Sequence, residues 1–227
     1  MNRRLRLAVA RLYLVLDGAH AHLLDAALRG GVDVVQLRDK ELPDGELVRA
    51  ADPFRRACDA HGALFVLNDR PDLVGACAAD GVHVGQHDAS VADARALVGD
   101  ERIVGLSIEA VDQLDATAGA DYLGVGAVFT TPTKTDAEAA GLELVHAAAA
   151  RVKIPWFAIG GIDLENVADV VAAGAPGIAV VRAIRDAADP EAAARALQAA
   201  LPAKPARPFR GIASDASGAA LGEPPPA

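Results

Sequence analysis

Aromatic side chains are scarce in this sequence: Phe, Trp and Tyr make up 4% of 227 residues, although 52% of the residues are hydrophobic. The apolar content is therefore mostly Ala, Val and Leu, and a core of small side chains suits closely packed helices and strands. A chain this apolar is not a long disordered one. Cysteine is nearly missing. Cys58 and Cys77 are too few for a disulfide framework and have no metal-ligand spacing around them, so both are expected as reduced thiols in an intracellular protein. Positive charge is in deficit, with 22 Lys and Arg against 31 Asp and Glu and a net charge of −9. A protein bound to nucleic acid through its phosphates carries the opposite balance, so no nucleic-acid partner is expected. Long hydrophobic runs are missing too, and none approaches the ~18 apolar residues of a membrane span. At the N-terminus, MNRRLRLAVARLYLVLD has apolar runs cut by Arg6 and Arg11, too short for the h-region of a signal peptide. The expectation is a soluble, cytoplasmic protein with no membrane partner.

What is present is a steady alternation of short β-branched runs and alanine-rich segments with helical spacing. The strand candidates are Leu12–Asp17, Val32–Arg38, Leu64–Asp69, Val82–Gln86, Ile103–Ile108, Tyr122–Val128, Pro155–Gly160 and Gly177–Val181. Most are near-continuous apolar runs, as parallel strands covered on both faces require. Helical periodicity marks Asp44–His61, Val91–Val98, Leu142–Arg151, Leu164–Ala173 and Pro190–Leu201. Gly30-Gly31, Gly62, Gly119 and Gly174 stand where helix C-caps belong, and Asp163 where an N-cap belongs.

Eight such units in one chain predict an α/β fold, a single-domain (β/α)8 TIM barrel over 11–201. Residues 1–10 read as an N-terminal extension and 202–227, rich in Pro, Gly, Ala and Ser, as a disordered tail. A doubly wound open sheet is the alternative. The barrel is preferred because polar residues recur at the C-terminal end of almost every strand. In an open sheet they would gather at one switch point.

Strand alternation puts Gln36, Arg38 and Lys40 of VVQLRDK on one side. Two cations and an amide suit a phosphorylated ligand, and a solvated rim cluster is an equal reading. Asn68, Asp69, His83, Gln86 and Asp88 approach the same rim. Two carboxylates without a His or Cys cluster point to a hard cation such as Mg2+, which binds through one or two carboxylates plus substrate phosphates. Capping is the competing reading for Asp69, before Pro71, and for Asp88, before Val91. His83 reads as structural rather than a zinc ligand. Threonines 130, 131, 133 and 135 with Lys134 could bind an anion, although alone a merely polar loop is slightly favoured. Gly160 and Gly161, with the amides after strand eight, occupy the usual phosphate site of such barrels, and a following helix N-terminus would add its dipole. Two anion sites beside a metal suggest chemistry joining two phosphorylated molecules.

These motifs resemble the thiamine phosphate synthase family across roughly Arg11 to Leu201. The resemblance is carried by QLRDK (Gln36–Lys40), NDR (Asn68–Arg70), GVHVGQHD (Gly81–Asp88), GLS (Gly105–Ser107), TPTK (Thr131–Lys134), GGI (Gly160–Ile162) and VVRAI (Val180–Ile184). It implies a Mg2+-dependent transferase that joins 4-amino-5-hydroxymethyl-2-methylpyrimidine diphosphate to a thiazole phosphate by a dissociative mechanism, giving thiamine phosphate and diphosphate. By that resemblance Gln36, Leu37, Arg38, Asp39, Lys40, Asn68, Ser107 and Lys134 would hold the pyrimidine diphosphate. Arg38, Lys40, Ser107 and Lys134 would be catalytic, and Asp69 and Asp88 would bind the metal. Thr131, Pro132, Thr133, Gly161, Val181 and Arg182 would hold the thiazole phosphate. Ala127 and Thr130 stand where the family commonly has prolines, and Arg182 where many members have Ser. Small phosphorylated molecules are the implied partners, with a homo-oligomer left open. The rival readings are a thiazole tautomerase of the same superfamily, another phosphate-binding barrel, and a non-catalytic binding protein on this scaffold.

Overall fold

A computed structural model describes residues 2–130 and 139–203. Eight parallel strands close into a barrel in sequence order: β1 (Leu12–Leu16), β2 (Val34–Leu37), β3 (Leu64–Asn68), β4 (Gly81–Val84), β5 (Ile103–Ile108), β6 (Tyr122–Val125), β7 (Trp156–Ile159) and β8 (Ile178–Val180). The ring shuts where Tyr13 of β1 pairs with Ala179 of β8. Closure removes the open-sheet alternative. Period-two alternation divides each strand between two cores. Leu12, Leu14, Val35, Leu37, Phe65 and Leu67 face the helices, whereas Tyr13, Val15, Val34, Val66, Tyr122 and Phe157 fill the lumen. The few large aromatics of the lumen fit because their neighbours are small. A Cβ on Gly105 would stand 2.2 Å from the Tyr122 ring and 2.5 Å from His83 Nδ1.

The helices are α1 (Arg3–Leu7), α2 (Leu24–Arg29), α3 (Asp44–His61), α4 (Val91–Val98), α5 (Gly141–Arg151), α6 (Val167–Ala172), α7 (Arg182–Arg185) and α8 (Pro190–Ala200). The segments expected over Asp44–His61 and Val91–Val98 have those bounds. Two crossovers depart from the eight-unit scheme. After β3 and after β5 the chain makes 3-10 turns, Pro71–Leu73 and Val111–Asp115, in place of an α-helix. Both connections are near the minimum length of a parallel crossover. Gly119 accordingly follows a 3-10 turn and caps no α-helix, whereas Gly62 ends α3 in the left-handed conformation at φ 70°. Asp163 is not the N-cap of α6. That position falls to Asn166, and the Asp163 carboxylate accepts from Glu165 N instead.

Residues 3–7, set apart by sequence as part of an extension, form the barrel's floor. Leu7 is 1% exposed and packs into the lumen cluster. Arg3 and Arg4 pair with Asp80 and Asp121, each at 2.8 Å, and Arg6 donates to the Gly62 carbonyl at 2.8 Å. The aspartates belong to a pattern. Asp33, Asp80 and Asp121 stand directly before β2, β4 and β6, and each carboxylate accepts a backbone N–H at the start of the preceding strand. The donors are Arg11 N (2.9 Å), Phe65 N (2.9 Å) and Val104 N (2.8 Å). These strands therefore begin in register through a charged clamp at the end opposite the mouth. Of the tail, residues 204–227 lie outside the described residues.

Candidate active site

A cavity of about 480 Å³ opens at the C-terminal ends of the strands. Gln36, Arg38 and Lys40 line it from β2, in the alternation expected. Asn68 and Asp69 enter from β3, Asp88 from the loop after β4, and Ser107 from β5. Gly161, Val181 and Arg182 close the opposite side. Leu37 and Asp39 fall between these positions and do not line the cavity. Leu37 is fully buried among the helix-facing residues, and the Asp39 carboxylate accepts from Gly18 N and Glu41 N, each at 3.4 Å. Thr131, Pro132, Thr133 and Lys134 lie outside the described residues.

Neither acid of the expected metal pair is a helix cap. The position before the turn at Pro71 is Arg70, with no side-chain capping bond. Ser90 caps α4 through its bond from Asp93 N at 3.1 Å. Asp69 instead sits at φ 59°, a left-handed conformation that Asp tolerates better than most residues. Its N–H donates to the His83 carbonyl at 2.8 Å. Its carboxyl is pushed above the usual range, first by burial and then by Asp88 within hydrogen-bonding reach, against the pull of Lys40. Lys40 Nζ lies 3.3 Å from Asp69 Oδ2. Asp88 is fixed through Gly85 N, which donates to its Oδ2 at 2.8 Å. Two crowded carboxylates, of which Asp69 is paired with Lys40, form an oxygen-donor pair in want of positive charge, and they fit a divalent cation. Among the described residues no cluster of three or more His, Cys, Asp or Glu could hold a metal by protein ligands alone. That suits an ion such as Mg2+, which keeps several waters.

Gly160 and Gly161 take φ 106° and 65°. A Cβ on Gly161 would meet Phe129 Cβ at 2.8 Å, so this glycine lets the β7 loop pass closely under residues 127–130. The helix dipole expected behind them is not there. The α6 helix begins only at Val167, and Asn166 Nδ2 spans the gap by donating to the Gly161 carbonyl at 2.9 Å.

Under the mouth lies a buried polar layer. Gln36 Nε2 donates to Tyr13 OH (2.8 Å), Tyr13 OH bonds Tyr122 OH (2.9 Å), and His83 bonds both Tyr122 OH (3.1 Å) and Ser107 Oγ (3.0 Å). Burial holds both phenols far above their ordinary pKa, so they stay neutral. His83, expected as structural, itself lines the cavity and bonds a second cavity residue, Ser107. The tyrosines and Glu109, which also lines the cavity, carry no motif in the sequence. Strand parity is the signal that finds them: Tyr13 shares it with Asp17 at the mouth, and Glu109 shares it with Ser107.

Residues 12–184 match the family described as thiamine monophosphate synthase. The thiamine-phosphate synthase of Thermobifida fusca is 48% identical over 193 residues, covering 81% of this chain and 88% of that protein. The chain belongs to this family. The thiamine-phosphate synthase of a Nostoc species is 47% identical over 182 residues, covering 78% of this chain and 52% of its own length. The chain thus spans about half the length of that family member. Among solved structures, thiamine phosphate pyrophosphorylase from Pyrococcus furiosus superposes with a TM-score of 0.79 at 34% identity, over 86% of this chain and 96% of that one. A 3-hexulose-6-phosphate synthase, at 20% identity and a TM-score of 0.61, shares the fold alone. No helix among the described residues is long and apolar enough to cross a membrane.

Proposed function

We propose that this chain is a thiamine phosphate synthase, a cytoplasmic transferase that joins the pyrimidine diphosphate to thiazole phosphate and releases diphosphate. The observation that carries this reading is the Asp69–Asp88 pair. Both acids are free of capping duty, crowded, and set beside Lys40 and Arg38 on one cavity.

Asp69 and Asp88 would hold Mg2+, which when bound neutralises charge growing on the departing diphosphate. Arg38 and Lys40 would clamp the same diphosphate, Arg38 in a planar two-pronged fashion and Lys40 as a point charge. Gln36 would meet the pyrimidine end and Ser107 the diphosphate, with Asn68 beside them. The apolar walls formed by Val15, Phe157 and Ile159 would keep water from the reacting carbon. Gly161, Val181 and Arg182, together with Thr131, Pro132, Thr133 and Lys134, are assigned to their substrates by the family resemblance. When the carbon–oxygen bond to diphosphate breaks, the pair of electrons leaves with the diphosphate, and the thiazole nitrogen supplies the new pair. Such a displacement asks the protein for positioning and fixed charge rather than a strong base.

The tautomerase reading needs a histidine serving as proton shuttle. Both ring nitrogens of His83 are already engaged inside the lumen, by Tyr122 and Ser107. The test is direct: incubate the protein with both substrates and Mg2+, and measure thiamine phosphate. Full activity in excess chelator would overturn the metal assignment, and no product with Mg2+ would overturn the reaction.

A further inference from the structure

The polar layer beneath the mouth is one continuous chain. Its five side chains, Gln36, Tyr13, Tyr122, His83 and Ser107, come from five different strands and cross the lumen from β2 to β5. All five side chains line the cavity, and the chain is deepest at its phenols, with Tyr13 and Tyr122 only 2% and 1% exposed. Each neutral phenol has one proton to give. With Gln36 Nε2 donating to Tyr13, the Tyr13 proton has Tyr122 as its acceptor. The reverse choice would leave the Tyr13 O–H without an acceptor among its described partners, a costly state in a buried site. Tyr122 then donates to His83 Nδ1, His83 carries its proton on Nε2 and gives it to Ser107 Oγ, and the Ser107 proton points outward to the cavity. The opposite order would need Gln36 turned with its oxygen inward, and would leave Ser107 offering lone pairs. A ligand beside Arg38 and Lys40 is anionic and needs donors, which favours the first order.

We propose that this chain is polarised from Gln36 to Ser107, and that Tyr13, Tyr122 and His83 are positioning residues. They present the Gln36 carbonyl as an acceptor and the Ser107 hydroxyl as a donor to one bound molecule. The bound molecule would then offer an N–H donor on the Gln36 side and an anionic acceptor on the Ser107 side. The proposal rests on the synthase reading for its ligand, but the polarity of the chain does not.

The test therefore has a part that needs no substrate. Protein labelled with 15N-histidine is examined by NMR without ligand, with His83→Asn used to assign the ring signals. The expected wild-type ring is neutral and protonated at Nε2, and Tyr122→Phe moves part of the proton to Nδ1, because Nδ1 has lost its donor. A wild-type ring protonated at Nδ1, or at both nitrogens, overturns the polarity; so does a ring unmoved by Tyr122→Phe. Should Tyr122→Phe fail to fold, the wild-type ring protonation still decides the polarity, and Tyr13→Phe, which leaves the Tyr122 hydroxyl to donate to Nδ1, should keep the proton on Nε2. In turnover assays both variants should lower kcat roughly tenfold, by analogy with other orienting partners, with the KM for thiazole phosphate unchanged. Full kcat in either folded variant overturns the positioning role. Because the spectrum is taken without substrate, an inactive wild type would sink the synthase reading while the ring protonation still decides the polarity.

Discussion

The two ends of the barrel use aspartate in opposite ways. At the floor, Asp80 is buried between Arg3 and Arg55 and accepts Phe65 N. Burial alone would raise its pKa, but those three partners together hold the carboxyl below its ordinary range. At the mouth, Asp69 has one lysine and faces a second acid, and its carboxyl is pushed up. The floor carboxylate is satisfied by the protein itself, whereas the mouth pair is left wanting charge. A fold can carry such a deficit where a ligand is to supply the charge, because the satisfied end holds the strands in place.

The largest effect should come from the mouth. Asp69→Asn and Asp88→Asn should each cut turnover by about 10²–10³, the scale of a lost transition-state charge contact, with melting temperature held or slightly raised. A stability loss with turnover intact would put these acids in the same class as the floor. Next, Asp80→Ala should leave two arginines and a strand N–H without their acceptor and destabilise by roughly 3 kcal/mol. Denaturant midpoints would read the loss, with kcat near normal in the fraction still folded. Leu7→Ala should act in the same direction by about 2–3 kcal/mol through a cavity under the lumen cluster. An unchanged midpoint would return residues 1–10 to the status of an extension.

The smallest effect sharpens the contrast in sign. The folded-state pKa of Asp80 lies below its unfolded value, so its stabilisation is present above the ordinary carboxylate range and is lost as pH falls through the lowered value. Asp69 has the opposite sign. Its folded pKa is raised, so the ionised group costs stability at neutral pH, and that cost fades as acid protonates it. Denaturation curves in chelator should show Asp69→Asn ahead of wild type at pH 7, with the gap closing as pH falls through the raised value. A gap that widens in acid would reverse the assignment.

Much of the fold and of the site is legible in the sequence. Near-continuous apolar runs separated by helical spacing point to parallel strands under helices, and parity places Gln36, Arg38 and Lys40 on one side. The chemical motifs are short but ordered, and the family follows from them. Capping is harder to read: Asp88 stands as a possible cap before Val91 and Asp163 as the cap of the helix after it, and neither caps its helix. Only the backbone path decides, choosing Ser90 and Asn166. The helix dipole expected behind Gly161 fails for the same reason: a loop of a few residues has no periodicity to announce where its helix starts.

By itself, then, the sequence determined which face of each strand a side chain takes, since that depends on a two-residue repeat the chain carries locally. Which faces meet was settled only by closure. Tyr13 and Tyr122 are 109 residues apart and share a hydrogen bond across the lumen. Asp69 and Asp88 crowd each other because β3 and β4 are neighbours in the ring. Arg3 reaches Asp80 because α1 folds back beneath strands that begin far along the chain. These contacts come from the curvature of a closed sheet, a property of all eight strands together that no local stretch of residues encodes.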